Sequence, residues 1–414
     1  MKINNFLFGI DVGTTKICAI VGEVQSGSQI IVRGVGLTPS HGLRKGIVVD
    51  TRKTVNSIKA AVRKAEQMAG IPIKSACVGL AGSHISSLNS KGAVTINSRE
   101  HLITTADRER AVNAACAVSI SPDREIIHVI PRDYLIDGQG GVREPVGMAA
   151  SNLEVEVHIV TGAITSIQNI VQCVHQAGIE VDDIVLEPIA SSKAVVDEED
   201  KALGVSLVDI GGGTTDVAIF QDSSIWHTFV LPVGGNHFTH DIAIGLKIPI
   251  LQAEQIKRDY GCALLEMVDE FDFFEIRMGN QKPKPILRQR LAEIVEPRAR
   301  EVLTMIKREM IECGQYKLLP GGIILTGGAC QLEGLPLLAS QIFDLPVRVG
   351  FPGKSVSGLT VIIDNPVFST AVGLLIYAKE SRNGGKPLRS QDFYSIKEIM
   401  ARARRWFQEF LKSR

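Results

Sequence analysis

The chain has 414 residues, too many for a single hydrophobic core, so two or more domains are expected. Hydrophobic residues make up 45% and aromatic residues only 5%, the balance of a globular α/β protein rich in Val, Ile, Ala and Gly. Its 45 basic and 45 acidic side chains leave no overall field to draw the protein to nucleic acid, which is excluded as a partner.

The first element is a hairpin, Phe8-Gly-Ile-Asp-Val-Gly-Thr-Thr-Lys-Ile-Cys-Ala-Ile-Val21. An apolar strand ends in Asp11, a turn of Gly13, Thr14 and Thr15 follows, and a second strand leaves from Lys16. Glycine lets backbone N–H groups approach a ligand that a Cβ would hold off. Successive N–H groups in such a turn form an anion nest, to which threonine hydroxyls add donors. Ile30–Leu37 reads as the next strand. Thr54–Ala69 carries Val55, Ile58, Val62 and Ala65 at helical spacing and is stopped by Gly70 and Pro72. Ala76–Ala81 is a short strand.

Residues 83 to about 160 change texture and read as an insertion, a small α+β interaction module. Thr105–Val118 is a helix, and Glu125–Ile136 a strand whose Pro131 suggests a sheet edge. Leu153–Ile159 alternates, burying Leu153, Val155, Val157 and Ile159 and turning Glu154, Glu156 and His158 to water. His84, His128 and His158 stand apart and suggest no shared metal site.

Thr165–Ala177 is a helix ended by Gly178, and Ile184–Leu186 is a strand that hands over to Glu187. The Glu187 carboxylate either reaches a cleft or caps the helix that follows. Leu207–Phe220 then repeats the first hairpin's grammar. A strand runs to Asp209, a turn of Gly211, Gly212, Gly213, Thr214 and Thr215 follows, and a second apolar run leaves from Val217. A carboxylate beside a phosphate cradle makes sense if a divalent cation stands between them, since Mg²⁺ takes oxygen ligands. Asp11 and Asp209 stand roughly half the chain apart, and a motif repeated at that distance predicts two similar halves facing each other across a cleft.

Leu231-Pro-Val-Gly-Gly-Asn236 is another Gly-rich turn entering a helix, with Gly235 usable as an anion or sugar contact. In the helical stretch Ala253–Tyr260, Glu254 and Lys257 share a face, and the ordinary reading is a surface salt bridge. Ile286–Cys313 is a long helical stretch interrupted at Pro297. The basic side chains just before it and in its first part, Lys282, Lys284, Arg288, Arg290, Arg298 and Arg300, make a solvated face, or a patch that could take an acidic peptide. Gly322–Leu325 is a strand ending in Thr326-Gly327-Gly328, a third glycine turn with the form of a nucleoside-binding loop. Pro366–Ala378, small and apolar, reads as a helix packed closely on a sheet.

Ser381–Phe393 is a linker by composition. Beyond it Ile396, Ile399, Met400, Ala403, Trp406, Phe407, Phe410 and Leu411 follow helical spacing, while Lys397, Arg402, Arg404, Arg405 and Lys412 hold the other face. A basic amphipathic helix with aromatic residues on its apolar side lies in an anionic membrane interface, each basic residue adding up to about 1 kcal/mol. The alternative is a terminal helix docked on its own chain. Seven scattered cysteines, odd in number and never spaced Cys-x-x-Cys, read as reduced thiols of a cytosolic protein. The N-terminus reads as having no signal peptide. The longest apolar stretch, near Val361–Ala378, is broken by Asp364, Asn365 and Pro366 and does not read as a membrane span.

The order of these motifs resembles the actin-like ATPase superfamily. Within it, Ser83-His-Ile-Ser-Ser87, Val146-Gly-Met148, Leu153-Glu-Val-Glu-Val-His-Ile-Val-Thr-Gly162, Ala253-Glu-Gln-Ile-Lys257 and the tail are similar to the FtsA family of bacterial cell-division proteins, over nearly the whole chain. The resemblance implies an actin-like α/β fold of two similar halves around a nucleotide cleft, with an inserted small α+β domain (1C) and a C-terminal amphipathic helix. Domain 1A would comprise residues 1–82 and 163–195, domain 1C 83–162, domain 2A 196–233 and 314–380, and domain 2B 234–313. The last helix of 2A would return to 1A, followed by a linker over 381–393 and the amphipathic helix over 394–414.

The same resemblance implies ATP and Mg²⁺ as ligands. Asp11 and Asp209 would hold Mg²⁺, through water. Gly13, Thr14, Thr15 and Lys16 would bind phosphates with Gly211, Gly212, Gly213, Thr214 and Thr215. Gly327 and Gly328 would bind adenosine, with Glu254 and Lys257 beside the adenine and ribose and Gly235 nearby. Glu187 would position a water, giving a weak ATPase at most. The implied partners are the FtsZ C-terminal peptide on residues 234–313, with Arg288, Arg290, Arg298 and Arg300 as candidates, other copies of the chain in filaments, and anionic phospholipid. Later division proteins would bind through the 83–160 module. The implied place is the cytoplasmic side of the inner membrane at the division septum. A pilus-assembly relative and a small-molecule kinase of the same superfamily are the alternatives.

Overall fold

The computed structural model describes residues 5–25, 29–97, 100–276 and 283–382. Lys282, most of the linker and the amphipathic stretch 394–414 lie outside the described residues. Contacts divide the described chain into a larger unit, 1–86 with 162–380, and a smaller one, Ser87–Thr161.

The larger unit holds two main sheets built on one plan, besides two short two-stranded ones. The first has six strands in the order Glu180–Leu186, Ser75–Leu80, Phe6–Val12, Lys16–Val24, Ile30–Pro39, Ser357–Gly358. The second has five, in the order Val347–Val349, Ile323–Thr326, Val205–Ile210, Thr215–Gln221, Ser224–Leu231. In each, an antiparallel hairpin continues into a third antiparallel strand, and the strand that ends near the aspartate has a parallel neighbour on its other side. Asp11 faces Cys18 and Asp209 faces Asp216 in equivalent registers. Every residue of Phe6–Val12 and of Val205–Ile210 is buried, which is why these strands read as unbroken apolar runs rather than alternating ones.

The helix Thr51–Ala69 is capped by Asp50, whose side chain accepts from Lys53 N–H, and ends on Gly70 in the left-handed conformation at φ 71°. The last helix, Ser369–Arg382, returns to the first sheet. Leu374 and Leu375 lie against Gly9 and Gly22, and Gly373 lies against the helix Glu187–Val195.

Two expectations for the 286–313 region are corrected. Ile286 belongs to the strand Lys284–Leu287, which pairs with Phe273–Ile276, and the helix begins at Arg288. That helix runs unbroken to Glu312 through Pro297. Pro297 and Glu293 both lie on the exposed side of the helix, and the buried stripe Leu291, Ala292, Val295, Ala299, Val302, Leu303, Ile306 and Met310 holds the helix together.

The smaller unit is a four-stranded sheet, in the order Ser86–Thr95, Asn152–Ala163, Arg124–Ile136, Gln139–Val142, with the helix Thr105–Cys116. That helix starts in a capping box between Thr104 and Asp107 and packs Ala111, Val112 and Ala115 on Leu153, Val155, Val157 and Ile159. Pro131 lies in an inner strand by sheet order. Its outer neighbour pairs only at Tyr134 and Ile136, which leaves Pro131 beyond the reach of that short strand. His158 is buried rather than wet and bonds Asn89 Oδ1 at 2.7 Å. The alternation stops at Val157, and from there to Gly162 both faces of the strand are covered.

Candidate functional site

A cleft in the larger unit is lined by both hairpin turns, from Asp11 to Lys16 and from Asp209 to Thr214, and by Glu187 at the start of its helix. Gly46, Ala81, Gly327, Gly328, Pro366, Val367 and Thr370 complete the lining. The two turns touch. A Cβ on Gly212 would stand 2.2 Å from Thr15 Cγ2, and one on Gly213 2.7 Å from Thr14 Cγ2. Only glycine lets the threonines of the first turn rest on the backbone of the second.

Three carboxylates, Asp11, Glu187 and Asp209, line this cleft, and a fourth, Asp216, acts on them electrostatically from the partner strand. Asp11 is paired with Lys16, and Asp209 Oδ2 accepts hydrogen bonds from Ser191 at 2.7 Å and Thr370 at 3.4 Å. Glu187 Oε1 and Asp216 Oδ1 are buried and have no hydrogen-bond partner among the described residues. Burial pushes Glu187 well above the ordinary carboxylate range, and like charge from Asp11, Asp216 and Asp209 adds to it. Burial, then Asp209, raises Asp216 to about 8. Asp209 is raised by burial too, against the pull of Ser191 and Lys16. Burial works to lower Lys16, but Asp11 beside it holds the ammonium above its ordinary value. Four carboxylates against one ammonium, two of them with an orphaned buried oxygen, make a site short of positive charge and of donors. A hydrated divalent cation supplies both, so these residues fit one.

The structure does not bring every expected residue to the cleft. Thr215 lies in the strand Thr215–Gln221, fully buried, and its hydroxyl donates to the Val233 carbonyl at 2.8 Å rather than into the turn. Gly235 N–H donates to Gly211 O at 2.9 Å and Asn236 N–H to Gly212 O at 2.8 Å. The helix Gly235–Leu246 thus buttresses the second turn from behind. Glu254 and Lys257 are not a surface pair. Lys257 Nζ donates to Glu254 at 2.7 Å, Thr239 at 2.9 Å and the Gly235 carbonyl at 3.1 Å. Against the effect of burial, Lys257 holds Glu254 below the ordinary range. The pair therefore braces the buttress.

The four arginines of the basic patch expected over residues 282–300 are each paired with carboxylates. Arg288 meets Glu333 and Asp272, Arg290 meets Glu293, Arg298 meets Asp241 and Glu301, and Arg300 meets Glu296. Counting cations along the sequence overlooked the acids one helical turn away and on facing elements.

Three site residues escaped the sequence reading. Asp216 stands inside the second motif, and hairpin register alone sets it opposite Asp209. Ser191 follows Glu187 by one helical turn, a signal visible only once the helix is known to start at Glu187. Thr370 carries no local signal.

Comparison with known proteins agrees with this architecture. Residues 206–373 match the family model described as "Cell division protein FtsA", and residues 82–161 match the "SHS2 domain inserted in FTSA". The cell division protein FtsA of Pseudomonas aeruginosa is 47% identical over 99% of both chains. That of Escherichia coli K12 is 38% identical over 97% of each, and that of Bacillus subtilis 37% identical over 91% of this chain and 84% of its own. Among solved structures, a PilM–PilN type IV pilus biogenesis complex superposes with a TM-score of 0.66 at 18% identity, covering 90% of this chain and 98% of that one. MreB5 of Spiroplasma citri bound to ADP superposes with a TM-score of 0.55 at 15% identity, covering 92% and 99%. These structures show the actin-like fold. With relatives this similar along its full length, and with the insertion typical of them, the chain belongs to the FtsA family of cell division proteins.

Proposed function

We propose that the cleft binds ATP with Mg²⁺ and that the protein is a filament-forming, membrane-bound member of the cell-division machinery. The observation that carries this reading is the pair of glycine turns closing on a buried cluster of carboxylates. Turns of that kind present N–H groups to phosphate oxygens, and the cluster accepts a hydrated cation. In this reading Asp11 and Asp209 hold the water shell of Mg²⁺, which when bound neutralises phosphate charge. Gly13 to Lys16 and Gly211 to Thr214 take the phosphates, and Gly327 and Gly328 the adenosine. Thr215, Gly235, Glu254 and Lys257 support that shell from behind. Glu187 orients a water. MreB5 of Spiroplasma citri, of the same fold, has been solved with ADP and with AMPPNP, which supports a nucleotide here.

The tail completes the reading. Its basic amphipathic stretch holds the protein on anionic phospholipid at the cytoplasmic face of the inner membrane, at the septum. There copies assemble into filaments, residues 234–313 hold the FtsZ C-terminal peptide, and the 83–160 module receives later division proteins. Of the four candidate arginines, Arg290 and Arg300 have the most exposed side chains, at 61% and 48%, and can exchange their carboxylate partners for those of an acidic peptide.

Co-sedimentation with anionic vesicles tests the proposal, using the full chain, a version ending at Arg389, and Asp209→Ala, each with and without Mg-ATP. The full chain should pellet, and more so with Mg-ATP. The shortened chain should remain in solution, and Asp209→Ala should bind vesicles without the response to Mg-ATP. Vesicle binding that survives loss of the tail refutes the membrane assignment, and an unchanged Mg-ATP response in Asp209→Ala refutes the site.

A further inference from the structure

We propose that Ser191 and Thr370 are positioning residues that clamp one oxygen of Asp209 and tie this carboxylate to the last helix. The inference rests on the reading of the cleft as a Mg-nucleotide site. A carboxylate torsion is broad, so an aspartate at a cleft keeps one orientation only if something holds it. Asp209 Oδ2 is held by Ser191 Oγ at 2.7 Å and by Thr370 Oγ1 at 3.4 Å, and the two hydroxyls lie 3.0 Å apart. Ser191 is fully buried and Thr370 is 5% exposed, so water does not compete for these bonds. The other oxygen, Oδ1, lies on the side of Gly327, where a Cβ would stand 2.3 Å from it.

The clamp also settles a competition inside the cleft. Lys16 attracts Asp209 as well as Asp11, yet its ammonium is bonded to Asp11. Two hydroxyls on Oδ2 keep Asp209 from turning toward that ammonium and leave a second carboxylate set for a cation.

The same contacts reach the last helix. Ser369 and Thr370 are its first residues, and Ser369 Oγ bonds Thr326 Oγ1 at 2.6 Å. Thr326 is the register partner of Asp209 on the neighbouring strand. One helix start is therefore pinned to two adjacent strand ends, both at the cleft.

The test uses the full chain and a fluorescent ATP analogue, titrated with MgCl₂ and separately in EDTA. The variants are Ser191→Ala, Thr370→Val, both together, and Thr370→Ser, which keeps the hydroxyl. Residues that orient a metal ligand typically change metal affinity 10- to 100-fold. The double variant should need roughly tenfold more Mg²⁺ for half-maximal binding while its affinity in EDTA stays within about twofold, and Thr370→Ser should match the parent. Thr370→Val conserves volume, so a shifted Mg²⁺ requirement with an unchanged melting transition separates the clamp from a packing role. An unchanged Mg²⁺ requirement in the double variant overturns the clamp, as does an equal loss with and without Mg²⁺. If the parent itself shows no Mg²⁺ dependence, the nucleotide reading of the cleft falls, and the clamp with it.

Discussion

Gly373→Ala asks how tightly the last helix is seated against the helix that carries Glu187 and Ser191. An alanine Cβ at position 373 would stand 1.8 Å from the Ala190 carbonyl oxygen and 2.3 Å from its carbon. Carbon–oxygen contacts settle near ~3.3 Å, so the helices must part by more than about 1 Å. Backbone cannot yield as a side-chain tip can, and the neighbours Ala190, Ala371, Val372 and Leu374 are fully buried. A gap of that size forfeits roughly a quarter to a half of the dispersion energy of each contact it opens. Overpacking of this kind costs about 1–3 kcal/mol, against a gain of about 1 kcal/mol for replacing glycine in a helix. The net loss is then up to about 2 kcal/mol, and a shift of that size also stretches the 3.0 Å contact between Ser191 and Thr370. Gly245→Ala is the matched control. It lies exposed in the helix Gly235–Leu246, and the nearest atoms its Cβ would meet belong to the Ile294 side chain, at 2.6 Å from Cδ1, which can rotate away. Urea unfolding of both variants should show Gly373→Ala destabilised and Gly245→Ala neutral or stabilised. A Gly373→Ala protein as stable as its parent refutes the backbone-contact argument.

Two further outcomes are expected from the electrostatics. Asp216 holds its proton in the folded protein up to about pH 8, whereas the unfolded chain releases it near ~4. Between those values the unfolded state binds fewer protons, so stability falls as pH rises, by at most about 1.4 kcal/mol per pH unit for one group. Asp216→Asn should flatten the slope measured by urea unfolding without Mg²⁺, with Glu187 keeping part of it, and identical slopes in variant and parent exclude the assignment. Lys257→Met should cost about 1–3 kcal/mol because it strips the carboxylate of Glu254 and the Gly235 carbonyl of a half-buried donor. Arg258→Met removes a more exposed partner of Glu254 and should cost at most about 1 kcal/mol. Equal losses in the two would show that Lys257 is not a brace.

The two hairpins are legible in the sequence because their signals are local. Apolar runs, a terminal aspartate and a glycine turn fall within fourteen residues of each other, as in Leu207–Phe220. The inserted module is legible for the same reason, through a change of texture near residue 83 and the alternation of Leu153–Val157. His158 breaks that rule because burial of a strand's second face depends on what lies over it. Pro297 misleads in the other direction, since its local cost to a helix is real but smaller than the packing of the buried stripe around it. The arginines of the same helix look like a patch until the carboxylates of Asp241, Asp272 and Glu333, distant in sequence, are placed beside them.

The sequence by itself determined the repeated halves, the glycine turns and the two aspartates that end near them, because each rests on contacts between near neighbours in the chain. Only the tertiary structure decided which groups share the cleft. Glu187 and Ser191 from one helix, Thr370 from the last helix and Asp216 from the partner strand are brought to Asp11 and Asp209 by the fold, and the unpartnered oxygens of Glu187 and Asp216 exist only once those elements meet. Burial and like charge act through space, and no spacing along the chain records them.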